Sequence, residues 1–219
     1  MQLIIRNLTK LIDKTPVLSK IFYTFESGRI YGLVGKKNSG KTLLFRCISG
    51  EEAFDRGHIR INRNGEDEKI GFMDVGCALS NSALPEFLTG YEFISHFLEL
   101  HDMESSDFII ANYLKLIGID TAAANRQIYH YTEEMKGHLQ LLCVYILKPD
   151  IVLVEEHMEE YFSDTAKILG RLLNELKEKC IVILSTGNHK LIEEICDDVL
   201  MLKDGELRDT ILNELSLEE

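Results

Sequence analysis

Apolar and polar residues alternate in short runs over the first third of the chain, in LIIRNL (3–8), PVLSKIFYTF (16–25), RIYGLVG (29–35) and HIRIN (58–62). A period of two is that of half-buried strands. Asn64-Gly65 is a hairpin signal after HIRIN, and KIGFM (69–73) reads as the next strand. One helix interrupts this block, from Gly40 to about Ser49, with Gly50 as its stop. From about Leu88 to Leu147 the spacing becomes helical, in YEFISHFLEL (91–100), in SSDFIIANYLKLIGI (105–119) and in EEMKGHLQLLCVYIL (133–147). Ser105 or Ser106 is the expected cap of the second segment and Gly118 its end. After Pro149-Asp150 the chain alternates again: strand IVLVEE (151–156), helix SDTAKILGRLLNELKEK (163–179) capped by Ser163, strand IVILST (181–186), short helix HKLIEEI (189–195) and strand DVLMLK (198–203). Strands alternating with helices predict parallel βαβ units, a sheet covered on both faces. One domain of 1–219 is therefore expected, with a strand-bearing part at 1–75 and 148–219 and an inserted helical lobe at about 76–147.

Composition narrows the options. At 45% hydrophobic, 219 residues bury a sizeable core, which excludes a disordered or fibrous chain. The net charge of −12, from 24 basic and 36 acidic residues, repels polyphosphates over most of the surface. No broad nucleic-acid binding is expected. Cys47, Cys77, Cys143, Cys180 and Cys196 lie far apart without a CxxC, as free thiols of a reducing compartment do. The chain lacks an apolar run long enough to span a bilayer and a signal-peptide layout at its start. The expected location is cytoplasmic, with any membrane role reached through a partner.

Against that acidic background one stretch predicts an anion. Gly35-x4-Gly40-Lys41-Thr42 follows an apolar strand and opens a helix, the context a phosphate loop requires. Glycines let successive backbone N–H groups turn inward around a phosphate, and the helix start adds partial positive charge. Lys41 would reach the β- and γ-phosphates and the Thr42 hydroxyl would ligate Mg²⁺. Lys36 and Lys37 add local positive charge, and Asn38, Ser39 and Leu43 complete the candidate nucleotide-binding set. The loop alone leaves GTPase, kinase and ATPase open. The lack of an NKxD segment lowers the first.

The order of segments resembles the ATP-binding subunits of ABC transporters, from the first strand to about residue 208. GLVGKKNSGKTLLFRCISG (32–50) looks like the family's phosphate loop and helix, and LPEFLTGYEFI (84–94) is similar to the start of its helical lobe. YTEEMKGHLQLLCVYILKPDIVLVEEH (131–157) matches the signature helix, its P-D turn and the strand carrying the Asp-Glu pair. LSTGNHKLIEEICDDVLMLKDGEL (184–207) resembles the closing segment. The resemblance implies an α/β P-loop NTPase fold: a RecA-like core with a mostly parallel sheet, an antiparallel β subdomain and an inserted helical subdomain. It further implies ATP and Mg²⁺ as cofactors, a transmembrane transporter subunit as partner, and two chains closing head to tail over nucleotide. Leu84–Tyr91 is then expected to form part of the groove receiving the membrane subunit, or simply to pack the lobe.

Several positions depart from the family pattern. Ile12 stands where an aromatic residue stacks on adenine, and Val75 where a glutamine reaches Mg²⁺ and the γ-phosphate. Glu155-Glu156 replaces the Asp-Glu pair, so that Glu155 would support the metal and Glu156 would be the general base. Gly187 replaces the γ-phosphate histidine; His189, two residues on, is expected to face solvent. The 157–162 loop also lacks the usual dimer-seam pattern. Where the family has Leu-Ser-Gly-Gly-Gln, this chain reads Tyr131-Thr132-Glu133-Glu134-Met135. At ~6 Å and an effective dielectric of about 20, each glutamate would oppose a phosphate charge by roughly 3 kcal/mol. Alternatively Thr132 caps the helix and the glutamates complement its dipole, by about 0.3 to 1 kcal/mol each. Both readings predict weak or absent hydrolysis by the isolated chain, and pairing with a more complete ATPase chain in preference to a homodimer. A non-hydrolysing regulator of the same fold, or a soluble P-loop kinase, are the alternatives.

Overall fold

The computed structural model describes residues 1–79, 84–155 and 163–210, the side chains of 163–165 aside. Two sheets carry it. The first is antiparallel, in the order β2-β1-β4-β5, built from β1 (Gln2–Ile12), β2 (Thr15–Glu26), β4 (Arg56–Arg63) and β5 (Glu66–Glu68). Its inward positions, Leu3, Ile5 and Leu8 on β1 and Leu18, Ile21 and Phe25 on β2, are fully buried. The period-two pattern therefore places one face against the core. Asp13 and Lys14 close β1 onto β2 with positive φ, and Asn64-Gly65 closes β4 onto β5 in the same way, the geometry a two-residue hairpin needs.

The second sheet has the order β10-β9-β3-β8-β7-β6, from β3 (Ile30–Val34), β6 (Val75–Ala78), β7 (Ile151–Glu155), β8 (Ile181–Ser185), β9 (Asp198–Lys203) and β10 (Glu206–Asp209). All neighbours in it are parallel except β9 and β10. Every residue of β3, β7 and β8 is buried, as expected for strands covered on both faces. One face packs with α1 (Lys41–Ser49) and the antiparallel sheet. The other packs with α2 (Gly90–Leu100), α3 (Asp107–Leu116), α5 (Glu133–Leu147) and α6 (Ser163–Lys177). A four-residue helix, α4 (Thr121–Ala124), is capped by Asp120, and α7 (His189–Ile195) by Asn188.

The strand expected at KIGFM begins later. Phe72–Asp74 is a short 3-10 turn with Phe72 90% exposed, and the ladder starts at Val75, paired with Ile151. Phe72 and Met73 are thus surface while Ile70 packs partly buried against the core, and the sheet carries on through Ala78. Arg63 locks the turn in place. Its guanidinium donates to Asp74 at 2.6 Å, Glu68 at 2.6 Å and Asp150 at 2.7 Å, joining β4, the turn and the approach to β7. The five cysteines are free. Burial pushes their thiols up, to about 11 for Cys47 and Cys180 and about 12 for Cys77, Cys143 and Cys196, so they stay protonated and unreactive.

Candidate nucleotide site

β3 occupies the interior of the parallel sheet, and its carboxyl end runs straight into Gly35–Thr42. Crevices beyond the carboxyl ends of parallel strands are where such sheets bind ligands. Gly35 adopts φ 152 and Gly40 φ 105, both closed to ordinary residues, and Asn38 has φ 65. A Cβ at Gly35 would lie 2.4 Å from the Leu202 carbonyl and 2.8 Å from Ser39 Oγ. That glycine is required by space as well as by torsion.

The loop bends around a point where its own polar groups converge. Lys41 Nζ donates to the carbonyls of Gly35 at 2.6 Å and Lys36 at 3.1 Å. Burial holds the ammonium below its ordinary pKa while the nearby Glu155 carboxylate pulls the other way. The Thr42 hydroxyl donates to Glu155 Oε1, which brings the first turn of α1 and the end of β7 together across the loop. Glu155 is buried, at 8% exposure. Ser39 Oγ is buried without a hydrogen-bond partner, an unmet polar group in a phosphate-shaped loop. A hydroxyl paired with a carboxylate is an oxygen donor set suited to Mg²⁺, so the residues fit Mg-nucleotide. Leu43 instead packs partly buried against the core.

Beside the loop lies a cavity of about 700 Å³. It runs from Pro16 and Val17, past Gly35, Lys36, Lys37, Asn38 and Ser39, to Thr186, Gly187 and His189, with Met201 to Gly205 as its further wall. Two expectations change here. His189 is half-buried and lines this cavity rather than facing solvent, because Asn188 caps α7 and turns its first residue toward the loop. Ile12 is 47% exposed and is not among the lining residues; Pro16 and Val17 form that wall. Lys41 and Thr42 of the loop, and Glu155 at the end of β7, are not among the cavity's lining residues. Val75 serves the sheet, at the start of β6 and packed against the core. Glu156 and the 157–162 loop fall outside the described residues.

At the start of α5 the Thr132 hydroxyl accepts from Met135 N–H at 3.2 Å, and Glu133 and Glu134 occupy the first turn. Lys136 bridges Glu133 at 3.1 Å and Glu86 at 2.7 Å, tying the helix to the 84–88 segment. Sequence reasoning missed Pro16, Val17, Lys203 and Asp204, which only folding brings to the loop. For His189 the signal in the sequence was its place two residues after Gly187, where the resemblance expects a histidine.

Loop, strand end and helix start together make this a P-loop nucleotide-binding protein. The family model for the ABC transporter matches residues 18–159, more than half of the chain, which therefore belongs to the ABC transporter ATP-binding family. The uncharacterized ABC transporter ATP-binding protein YybJ of Bacillus subtilis is 32% identical over 206 residues, 92% of each chain. The methionine import ATP-binding protein MetN of Clostridium tetani is 23% identical over 229 residues, 95% of this chain and 70% of its own. Among solved structures, an ATP-binding subunit of an ABC transporter superposes with TM-score 0.81 at 20% identity, over 100% of this chain and 93% of the other. The ATP-binding cassette MJ0796, a dimer in a post-hydrolysis state with ADP and Pi, gives 0.79 at 18% identity, over 96% and 98%. The α/β P-loop architecture is thus that of the family. Among the described residues no helix is long and apolar enough to cross a membrane.

Proposed function

We infer that this chain is an ATP-binding subunit of an ABC-type transporter, holding Mg-ATP through Gly35–Leu43 and passing nucleotide state to a membrane partner. The observation that carries this is the Thr42–Glu155 contact across the phosphate loop, which sets a metal-ready hydroxyl and carboxylate beside Lys41. Mg²⁺ bound there would neutralise charge between the β- and γ-phosphates. Lys41 leaves the Gly35 and Lys36 carbonyls for the phosphates, and Ser39 gains the partner it lacks. Glu156 is the candidate base for an attacking water. Hydrolysis by the chain alone is weak, since Val75 offers no ligand oxygen and Gly187 no imidazole; His189, which lines the cavity, would have to swing in to compensate.

Glu133 and Glu134 oppose a nucleotide presented by a second chain, so productive closure pairs this subunit with a more complete ATPase chain. The membrane partner would meet the helical lobe near Phe87, 74% exposed, and Tyr129, 68% exposed, whose N–H donates to the Glu86 carbonyl at 3.0 Å. Exposed aromatic residues on adjoining turns suit a docking surface. Such a subunit works at the cytoplasmic face of a membrane.

Calorimetry with Mg-ATP tests the reading. Binding is expected in the wild type and lost in Lys41→Ala, with slow turnover abolished by Glu156→Gln. Binding without any turnover, alone or with a partner chain, would instead favour a regulator of the same fold, and equal binding by Lys41→Ala would reject the site.

A further inference from the structure

The cavity beside the loop offers charge along one side and only aliphatic surface along another. Lys36, Lys37, Lys203 and His189 line it against a single lining carboxylate, Asp204, in a chain of net charge −12. The three lysines are exposed, and Ser39 Oγ of the same loop is buried without a partner. An anion repelled by most of the surface is therefore attracted here. Lys203 is not part of the phosphate loop. It ends β9, and the strand holds it beside the loop, since a Cβ at Gly35 would come within 2.4 Å of the carbonyl of its neighbour Leu202.

The aliphatic side is Pro16 and Val17. Val17 is fixed against the loop: a Cβ at Gly40 would lie 3.2 Å from Val17 Cγ1, and one at Gly205 would lie 3.0 Å from the Val17 carbonyl. Ser19 N–H donates to the Gly205 carbonyl at 2.7 Å and closes β2 onto the β9–β10 turn. Pro16 pairs with Leu11, while Ile12, one step further out on the hairpin, pairs with Thr15 and does not line the cavity. A base set against this wall meets methyl and methylene groups. The side chains of Pro16 and Val17 carry no hydrogen-bonding group, and among the lining residues there is neither Phe nor Tyr, in a chain without Trp. His189 supplies the one lining ring, and it starts α7, whose Leu191 and Ile195 pack on the sheet face opposite to that of Leu18. An aromatic stack strengthens the hold on a base by roughly 5- to 150-fold. Hydrogen bonds to the base edge are what tell one base from another. This wall supplies neither.

We propose that the site selects the Mg-bound triphosphate chain and not the nucleoside, so that ATP, GTP, CTP and inorganic tripolyphosphate take it on nearly equal terms. Affinity comes from Gly35–Thr42 together with Lys36, Lys37 and Lys203, while base and ribose lie against an apolar wall that holds them weakly and does not read them. The proposal rests on the nucleotide reading above for what the phosphate loop grips, and it assigns Lys203, outside that loop, to the phosphates.

Calorimetry of the full chain in excess Mg²⁺ tests this. Mg-ATP, Mg-GTP, Mg-CTP and Mg-tripolyphosphate are expected to bind within about tenfold of one another. Lys203→Gln and Lys36→Gln/Lys37→Gln, at exposed positions, should weaken all four ligands by a common factor, about threefold to tenfold. Asp204→Asn, at a backbone φ of 51 that asparagine tolerates, removes the lining carboxylate able to accept from a base amino group and should tighten all four alike. A spread among the four wider than about tenfold overturns the proposal. So does a base ranking that Asp204→Asn abolishes, or lysine variants that weaken the nucleotides and spare tripolyphosphate. Those outcomes leave the nucleotide reading standing wherever ATP still binds; binding of none of the four removes both.

Discussion

Two helices begin at the carboxyl edge of the parallel sheet, and their first turns are built in opposite ways. α1 starts from Gly40 with no side-chain cap and no acidic residue in its first turn. α5 starts from Thr132, whose hydroxyl is bonded to Met135 N–H, and follows it with two glutamates. Every helix start leaves backbone N–H groups without intrahelical partners. In α1 those groups stay open, next to a lysine and an unpartnered hydroxyl, so the end can take an external anion. In α5 the Met135 N–H is answered by Thr132, and two glutamate carboxylates stand in the first turn. The difference shows that a helix end is a binding site only where the sequence refrains from capping it, and that refraining costs stability which the bound anion returns.

The comparison breaks most sharply at Gly35. Gly35→Ala puts a Cβ 2.4 Å from the Leu202 carbonyl at a backbone angle alanine resists. The loop must shift, and Mg-ATP affinity should fall by about a hundredfold, roughly 3 kcal/mol, in calorimetry. Unchanged affinity would mean that the loop does not hold the nucleotide. Next comes Thr42→Val, which removes the hydroxyl paired with Glu155. ATP binding should survive without metal, while the enhancement that Mg²⁺ supplies is lost, about tenfold. Retained enhancement would place the metal elsewhere.

At the other helix, Thr132→Ala should lower unfolding stability by about 1 kcal/mol, seen as a melting temperature about 2–4 °C lower, while Mg-ATP affinity of the monomer stays as it was. The smallest effect concerns His138 on α5, buried with Nε2 unpartnered and held below its ordinary pKa of 6.5 by burial, against the pull of Glu134 and the Ile117 backbone. The unfolded chain takes up a proton near pH 6.5 that the folded one refuses. Stability is therefore whole above that value and declines as pH falls below it toward the folded pKa. His138→Asn should flatten this slope in denaturant titrations between pH 7 and 5; an unchanged slope would remove the histidine from the account.

Much of this was readable from residues alone. The helix at 133–147 appears with both boundaries as its period and Thr132 cap predicted, and the glycine loop folds as its spacing requires. Local signals sufficed there because caps, turns and glycine torsions are decided within a few residues. KIGFM misled for the opposite reason. Phe72 and Met73 are apolar yet exposed, and the choice of Val75 as the first ladder residue is made by its neighbour Ile151, far away in sequence. The four-residue β10 and the four-residue α4 are too short to leave a periodic trace.

By itself, the order of strands, helices and phosphate loop determined the fold family and the anion that one loop is built to hold, since backbone geometry and capping are local properties of the chain. Only the tertiary structure decided what stands around that loop. Pro16, Val17, His189, Lys203 and Asp204 come from three distant segments and meet only at the cavity beside the loop. Strand order is set by long-range packing, and it is strand order that makes neighbours of residues the sequence keeps apart.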